Sequence, residues 1–140
     1  MIVRDVVLPL PEDLYIRLEQ TARATKQSLT DMLVRSVRAG SPPDWSQAPT
    51  EFRADLAALD RLGDDALWRV ARSQRSAADA ARLQELLEKN AADALTAVER
   101  LELEAEVAEA DRFMLRKAHA AALLQWRGHV VPPFERLRPR

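Results

Sequence analysis

Over residues 3–10, "VRDVVLPL", apolar and polar side chains alternate, with Val6, Leu8 and Leu10 on one parity and Asp5, Val7 and Pro9 on the other. A period of two predicts a short half-buried strand. At Pro11 the period changes. Pro11 stands where a first helical residue belongs, and Glu12 and Asp13 bring charge that suits a helix N-terminus. Leu14, Leu18 and Ala22 then recur at helical spacing, with Tyr15 and Ile16 beside them. "ATKQS" interrupts the pattern. Ser28 with Asp31 makes a capping-box-like start, and Leu29, Leu33 and Val37 form the stripe of a second helix, flanked by Met32 and Ser36 and ended by Gly40.

The Pro-, Ser- and Gly-rich stretch "GSPPDWSQAP" reads as punctuation, and beyond it the pattern is helical throughout. Thr50 caps a helix bearing Phe52, Leu56, Leu59 and Leu62, with Gly63 as its stop. Asp64 caps a short helix with Leu67, Trp68 and Val70–Ala71. Ser76 and Asp79 start a third, burying Leu83, Leu86 and Leu87. Thr96 and Glu99 start the last, predicted to run unbroken from Ala97 to Arg127, with Gly128 as its stop. Such a helix is about 45 Å long, more than a domain of this size needs for itself, so it packs against other helices or a second chain. Its core stripe is predicted as Leu103, Val107, Ala110, Met114, Ala118, Ala121 and Leu124, with Leu101, Ala105, Ala108, Leu115 and Ala122 beside it, together a wide core-facing surface. The organisation expected is residues 1–40 as one module, 41–50 as a linker, 51–128 as a helical partner-binding domain and 129–140 as a Pro/Arg tail. The fold class is mainly α: one short strand and two helices, followed by an all-helical domain with a long last helix.

Composition narrows the chemistry. The chain has 140 residues, 47% of them hydrophobic but only 5% aromatic, which suits packed helices. The net charge of −1 shows no global basic field for nucleic acid. With no Cys, disulfides and thiolate metal sites are excluded. Nothing at the N-terminus resembles a signal peptide and no apolar run approaches the ~20 residues of a membrane span, so a cytoplasmic protein with no membrane partner is expected.

Candidate sites are sparse. His119 and His129 are the two histidines, and neither has a carboxylate at metal-ligand spacing nearby in sequence. The glutamates of "ERLELEAEVAEAD" lack the Glu-x-x-His pairs of a di-metal bundle and are expected to form a solvated face, with Glu–Arg pairs three and four residues apart. No nucleophile arrangement, Gly-rich phosphate loop or zinc spacing is present. Neither an enzyme nor a cofactor is therefore expected. Trp45, Trp68 and Trp126 are read as packing residues or as partner anchors. The tail "HVVPPFERLRPR" is either draped over the surface or a docking peptide held by Val130, Val131 and Phe134. Trp126, Val131 and Phe134 are the candidate partner-binding residues.

The stretch "LPLPEDLYIRLEQTARATKQSLTDMLVRSVRAG" resembles the ribbon-helix-helix superfamily of Arc- and MetJ-type repressors in the order strand, Pro-Glu-Asp, helix, polar turn, Ser-capped helix. The resemblance implies that the strand pairs antiparallel with its twin in a second chain, since a strand this short cannot form a sheet in its own chain. Val6, Leu8, Leu10, Leu14, Leu18, Leu33 and Val37 would build that homodimer. It also implies a β-ribbon in the DNA major groove. Asp5, Val7 and Pro9 would be the outward positions, Arg4 a further contact, and Lys26, Gln27 and Ser28 (with the Leu29 N–H) a phosphate clamp. The layout then resembles an antitoxin that represses its own operon and binds a cognate toxin- or nuclease-like protein through its C-terminal helices. However, Asp5, Val7 and Pro9 bring no donor for a base edge. That opens an alternative: a non-DNA adaptor in which the same dimer is a protein-interaction scaffold.

Overall fold

The computed structural model describes residues 2–137. Its helices are α1 (Glu12–Ala24), α2 (Leu29–Gly40), α3 (Thr50–Leu59), α4 (Asp64–Arg72), α5 (Ala77–Ala91) and α6 (Ala97–Trp126), with a 3₁₀ turn at Phe134–Arg136. The chain divides into two compact units, Met1–Ser41 and Pro42–Arg140.

The expected strand is not formed: no strand occurs among the described residues, and residues 2–10 have no regular structure. A strand is defined by the ladder it makes with a neighbouring backbone, and no other segment of the chain supplies that ladder.

Three of the expected helix starts are built by side chains. Ser28 Oγ accepts the Asp31 N–H at 3.0 Å and Ser76 Oγ accepts that of Asp79 at 3.1 Å. Thr96 and Glu99 close a full capping box, each side chain on the other's amide at 3.1 Å. Two expected caps shift by one residue. Pro49 and Gly63, both extended, hold the N-cap positions of α3 and α4, so Thr50 and Asp64 are first helical residues. Gly63 therefore starts α4, and α3 ends earlier, at Leu59.

Helices α1, α5 and α6 end in the same way. The amides of Gln27, Ala94 and His129 reach back to the carbonyls of Ala22, Lys89 and Leu124 at 2.9, 2.8 and 3.0 Å. This is the Schellman closure, which needs positive φ at the residue before the returning amide. Lys26 (56°), Asp93 (55°) and Gly128 (98°) supply it. Only Gly128 does so without Cβ strain.

In the first unit α1 packs against α2, and Ala22 and Met32 are its buried side chains. The second unit is organised by α6. Helix α4 lies antiparallel along the C-terminal half of α6 and α5 along the N-terminal half, while α3 runs parallel to the C-terminal half on another side. The core joins Leu56, Leu59, Leu67, Ala71, Ala120, Leu123 and Leu124, with Trp45 and Val131 packed on its edge. The length of α6 thus follows from carrying two helices end to end.

Two burial expectations fail. Leu87 is exposed although Leu86 is fully buried. The predicted α6 stripe holds only at its C-terminal end, where Ala121 and Leu124 are buried. Val107, Met114 and Ala118 are exposed, as are Leu101, Ala105 and Ala108 beside them, while Lys117, His119, Ala120 and Leu123 are buried outside the stripe. The cause is that the C-terminal half of α6 is enclosed from two sides, which buries flanks that a single-stripe pattern assigns to solvent.

Leu124 is fully buried, so Leu124→Ala is expected to cost about 2–5 kcal/mol in urea unfolding. The two C-cap sites give opposite signs. Gly128→Ala destabilises by roughly 1 kcal/mol through its positive φ alone, since its added Cβ meets no atom within 4 Å. Lys26→Gly relieves the same strain and shifts the urea midpoint upward.

Candidate functional site

Two regions hold the functional candidates. In the first unit, Arg4, Asp5, Val7 and Pro9 lie on the exposed, irregular N-terminal segment, and Lys26, Gln27 and Ser28 form the exposed turn between α1 and α2. The turn is well defined. The Schellman closure holds Lys26 and Gln27, and Ser28 caps α2. The first amides of α2, at Leu29 and Thr30, have no intrahelical acceptor and point out of the helix end, where an anion is favoured. Val6, Val7 and Leu8 are 81%, 97% and 61% exposed. Leu14 and Val37 are also exposed, and Leu10, Leu18 and Leu33 are half-buried.

In the second unit the structure brings together groups that lie far apart in sequence. The turn between α3 and α4 presents two carboxylates to the end of α6. Asp60 accepts Trp45 Nε1–H at 2.9 Å on one oxygen, and His119 Nε2 lies 2.8 Å from the other. Asp64 binds Arg127 at 2.9 Å and faces His129 Nε2 at 2.7 Å. Arg127 also donates to the Leu62 carbonyl at 2.8 Å. The Arg127 guanidinium, with His129 second, holds the Asp64 carboxyl below the usual carboxylate range. The His129 ring meets Trp68 edge-on at 5.9 Å, and Arg72 lies 4.6 Å over the Trp68 ring.

These contacts bind the tail to its own domain. Val131 packs on the core edge, Leu137 is buried, and Lys117 lies between the Phe113 and Phe134 rings at 5.9 and 5.3 Å. Of the candidate partner-binding residues, Val131 is thus used internally, whereas Trp126 and Phe134 are partly exposed.

The acidic stretch of α6 is the expected solvated face only in part: Glu104, Glu109 and Asp111 are exposed. Glu99, Glu102 and Glu106 pair across to α5 and the segment before it: Lys89–Glu99 at 2.6 Å, Arg82–Glu102 at 2.7 Å and Arg75–Glu106 at 2.9 Å. Arg75, Arg82 and Lys89 recur every seven residues, which puts them on one face for an antiparallel ladder. Lys89 and the Thr96 amide pull the Glu99 carboxyl down to about 2, and Glu99 in turn raises Lys89. Local pairs such as Arg112–Glu109 also occur.

A cavity of about 370 Å³ opens between the start of α5 and the middle of α6, with Arg75, Asp79, Glu106, Glu109, Arg112 and Arg116 on its walls. Its charges largely compensate. Arg75 faces Glu106, and Arg112 Nε lies 3.0 Å from Asp55 as an ion pair, its N–H not aimed at the carboxylate. Three arginines against three carboxylates select neither an anion nor a cation. Among the described residues no group of three His, Asp or Glu converges to hold a metal ion, and no helix is long and apolar enough to cross a membrane. No family model, curated protein or solved structure matches the chain.

Sequence reasoning missed Asp60, Asp64 and Arg127, because their partners lie 59 to 67 residues away, apart from Trp45, which is 15 from Asp60. No local spacing signals such pairs.

Glu99 and Asp64 have depressed carboxyl values in the folded chain, so the stability they contribute is present above the ordinary carboxyl value of 4.5 for Glu and 3.8 for Asp. That stability is lost as pH falls, through about 2 for Glu99. Acidification from pH 5 is therefore expected to lower the protection factors of the amides at the start of α6, taken against the intrinsic exchange rate at each pH, and Glu99→Gln to flatten that dependence.

Proposed function

We propose that the protein is a homodimeric DNA-binding regulator of the ribbon-helix-helix, antitoxin type, acting in the cytoplasm, whose C-terminal helices bind a cognate protein. One observation carries the dimer. Among its described residues the first unit buries only Ala22 and Met32, while Val6, Leu8, Leu14, Ile16 and Val37 remain exposed. A unit of about 40 residues seldom builds a sufficient core alone, and oligomerisation is one remedy. Pairing residues 3–10 with the same segment of a second chain would give the strand its ladder and cover Val6, Leu8 and Leu10. Pro9 and Pro11 are compatible with that pairing, because both strands of a two-stranded ribbon are edge strands.

The DNA contact would be made at the α1–α2 turn. Two α2 N-termini, each with free first-turn amides and Lys26 and Gln27 beside them, would straddle the groove and fix the ribbon by phosphate contacts. Arg4 would add a further contact. A second reading is favoured by the exposed chemistry of the ribbon. Val7 is almost fully exposed, and neither it nor Pro9 can donate to a base. An apolar ribbon face of that kind would instead make the dimer an adaptor that scaffolds a protein complex.

Sedimentation is expected to give a dimer at micromolar concentration, reduced to monomer by Leu8→Asp; a folded wild-type monomer would remove the basis of both readings. For the regulator, the protein should shift its own upstream DNA with an affinity that falls steeply with salt. Lys26→Glu combined with Arg4→Ala should weaken that shift by more than roughly tenfold. A dimer that shifts no DNA at low salt, but loses a copurifying protein on Val7→Lys, would favour the adaptor.

A further inference from the structure

Helix α6 carries a heptad seam along its whole length: Val98, Leu101, Ala105, Ala108, Arg112, Leu115, His119 and Ala122, at alternating steps of three and four. In the C-terminal half this seam faces α3. Arg112 meets Asp55 at 3.0 Å and His119 meets Asp60 at 2.8 Å. Helix α3 begins at Thr50, level with the middle of α6, because Phe52 lies under Arg112. Beyond that level α5 packs on the acidic ladder side of α6, and the seam has no counterpart of α3. Val98 and Leu101 are 75% and 67% exposed, and Ala105 and Ala108 are exposed with them. The uncovered stretch spans three turns, about 15 Å, and its two alanines allow a neighbouring backbone to approach closely.

The charges beside the seam decide what can cover it. Glu104 and Asp111 lie on one edge at the same heptad position and carry no ion pair among the described residues. Glu102 and Glu109 lie on the other edge, facing Arg82 and Arg112. A second copy of this helix would place Glu104 against Glu109 in a parallel pair, or like edges against each other in an antiparallel one. Over the uncovered stretch both arrangements repel. A helix with Lys or Arg flanking an apolar seam is attracted instead.

We propose that the face formed by Val98, Leu101, Ala105 and Ala108 docks an amphipathic helix of another protein whose apolar seam is flanked by basic residues. That helix would continue the line of α3 along α6. The proposal rests on the reading that the second unit binds a protein. It does not depend on DNA binding or on the dimer of the first unit.

The test uses the full chain and two labelled helical peptides of three heptads with Leu at both seam positions, one with Lys at the flanking positions and one with Glu. Fluorescence anisotropy should show the Lys peptide binding and the Glu peptide not. Leu101→Asp should weaken binding by at least roughly tenfold, and the double variant Glu104→Lys/Asp111→Lys should reverse the preference. All three positions are on the surface, and an unchanged far-UV spectrum and melting midpoint would confirm the fold. Two peptides that bind alike, or binding indifferent to Leu101→Asp, would overturn the proposal. So would a wild-type assembly that Leu101→Asp dissociates without any peptide, since a second copy would then occupy the face. Dimer mass and DNA shift, read on the same variants, separate failure of this proposal from failure of the regulator reading.

Discussion

The second unit depends on one constraint: α6 must remain a single unbroken helix from Ala97 to Trp126. Its ends are closed by devices of different kinds, a reciprocal capping box at Thr96–Glu99 and a Schellman closure through Gly128. Neither Pro nor Gly interrupts it. With α6 unbroken, α4 and α5 find consecutive stretches of one helix, and α3 a further surface of it. A break near Arg112 would separate the ionic half from the apolar half, and the remaining helices are too short to hold each other.

The two halves are held by different physics. Around Leu123 and Leu124 the contact is apolar and close-packed, aided by Ala120 and Ala121, which let α3 and α4 approach. Around Glu99 and Glu106 it is an ion-pair ladder about Leu86, with partly exposed partners. Exposed ion pairs contribute little each, so the α5 end is the less stable part and the first to open. The edge of the same stretch that the proposed basic partner would use, Glu104 and Asp111, lies outside that ladder.

The first unit shows the complementary condition. Its turn is specified closely by Ser28 and by the Lys26 backbone, yet its apolar side chains largely face solvent. Local structure is complete there and burial is not. The proposal of a ribbon dimer follows from that mismatch, since an intermolecular surface is what would turn a capped helix pair into a folded module.

Much of this was legible in the chain because it is local. A cap is a contact between residues three apart, and a Schellman closure spans six, so Ser28, Ser76, Thr96 and Gly128 announce helix boundaries wherever they occur. The length of α6 and the Pro-rich break after Gly40 were readable for the same reason. Exposure of Met114, burial of Lys117 and His119, and the joining of Asp60 to His119 and Asp64 to Arg127 were not. Each depends on which helices enclose α6 and from how many sides. A hydrophobic period reports one buried face, and only the tertiary arrangement decides that a helix has two at one end and one at the other.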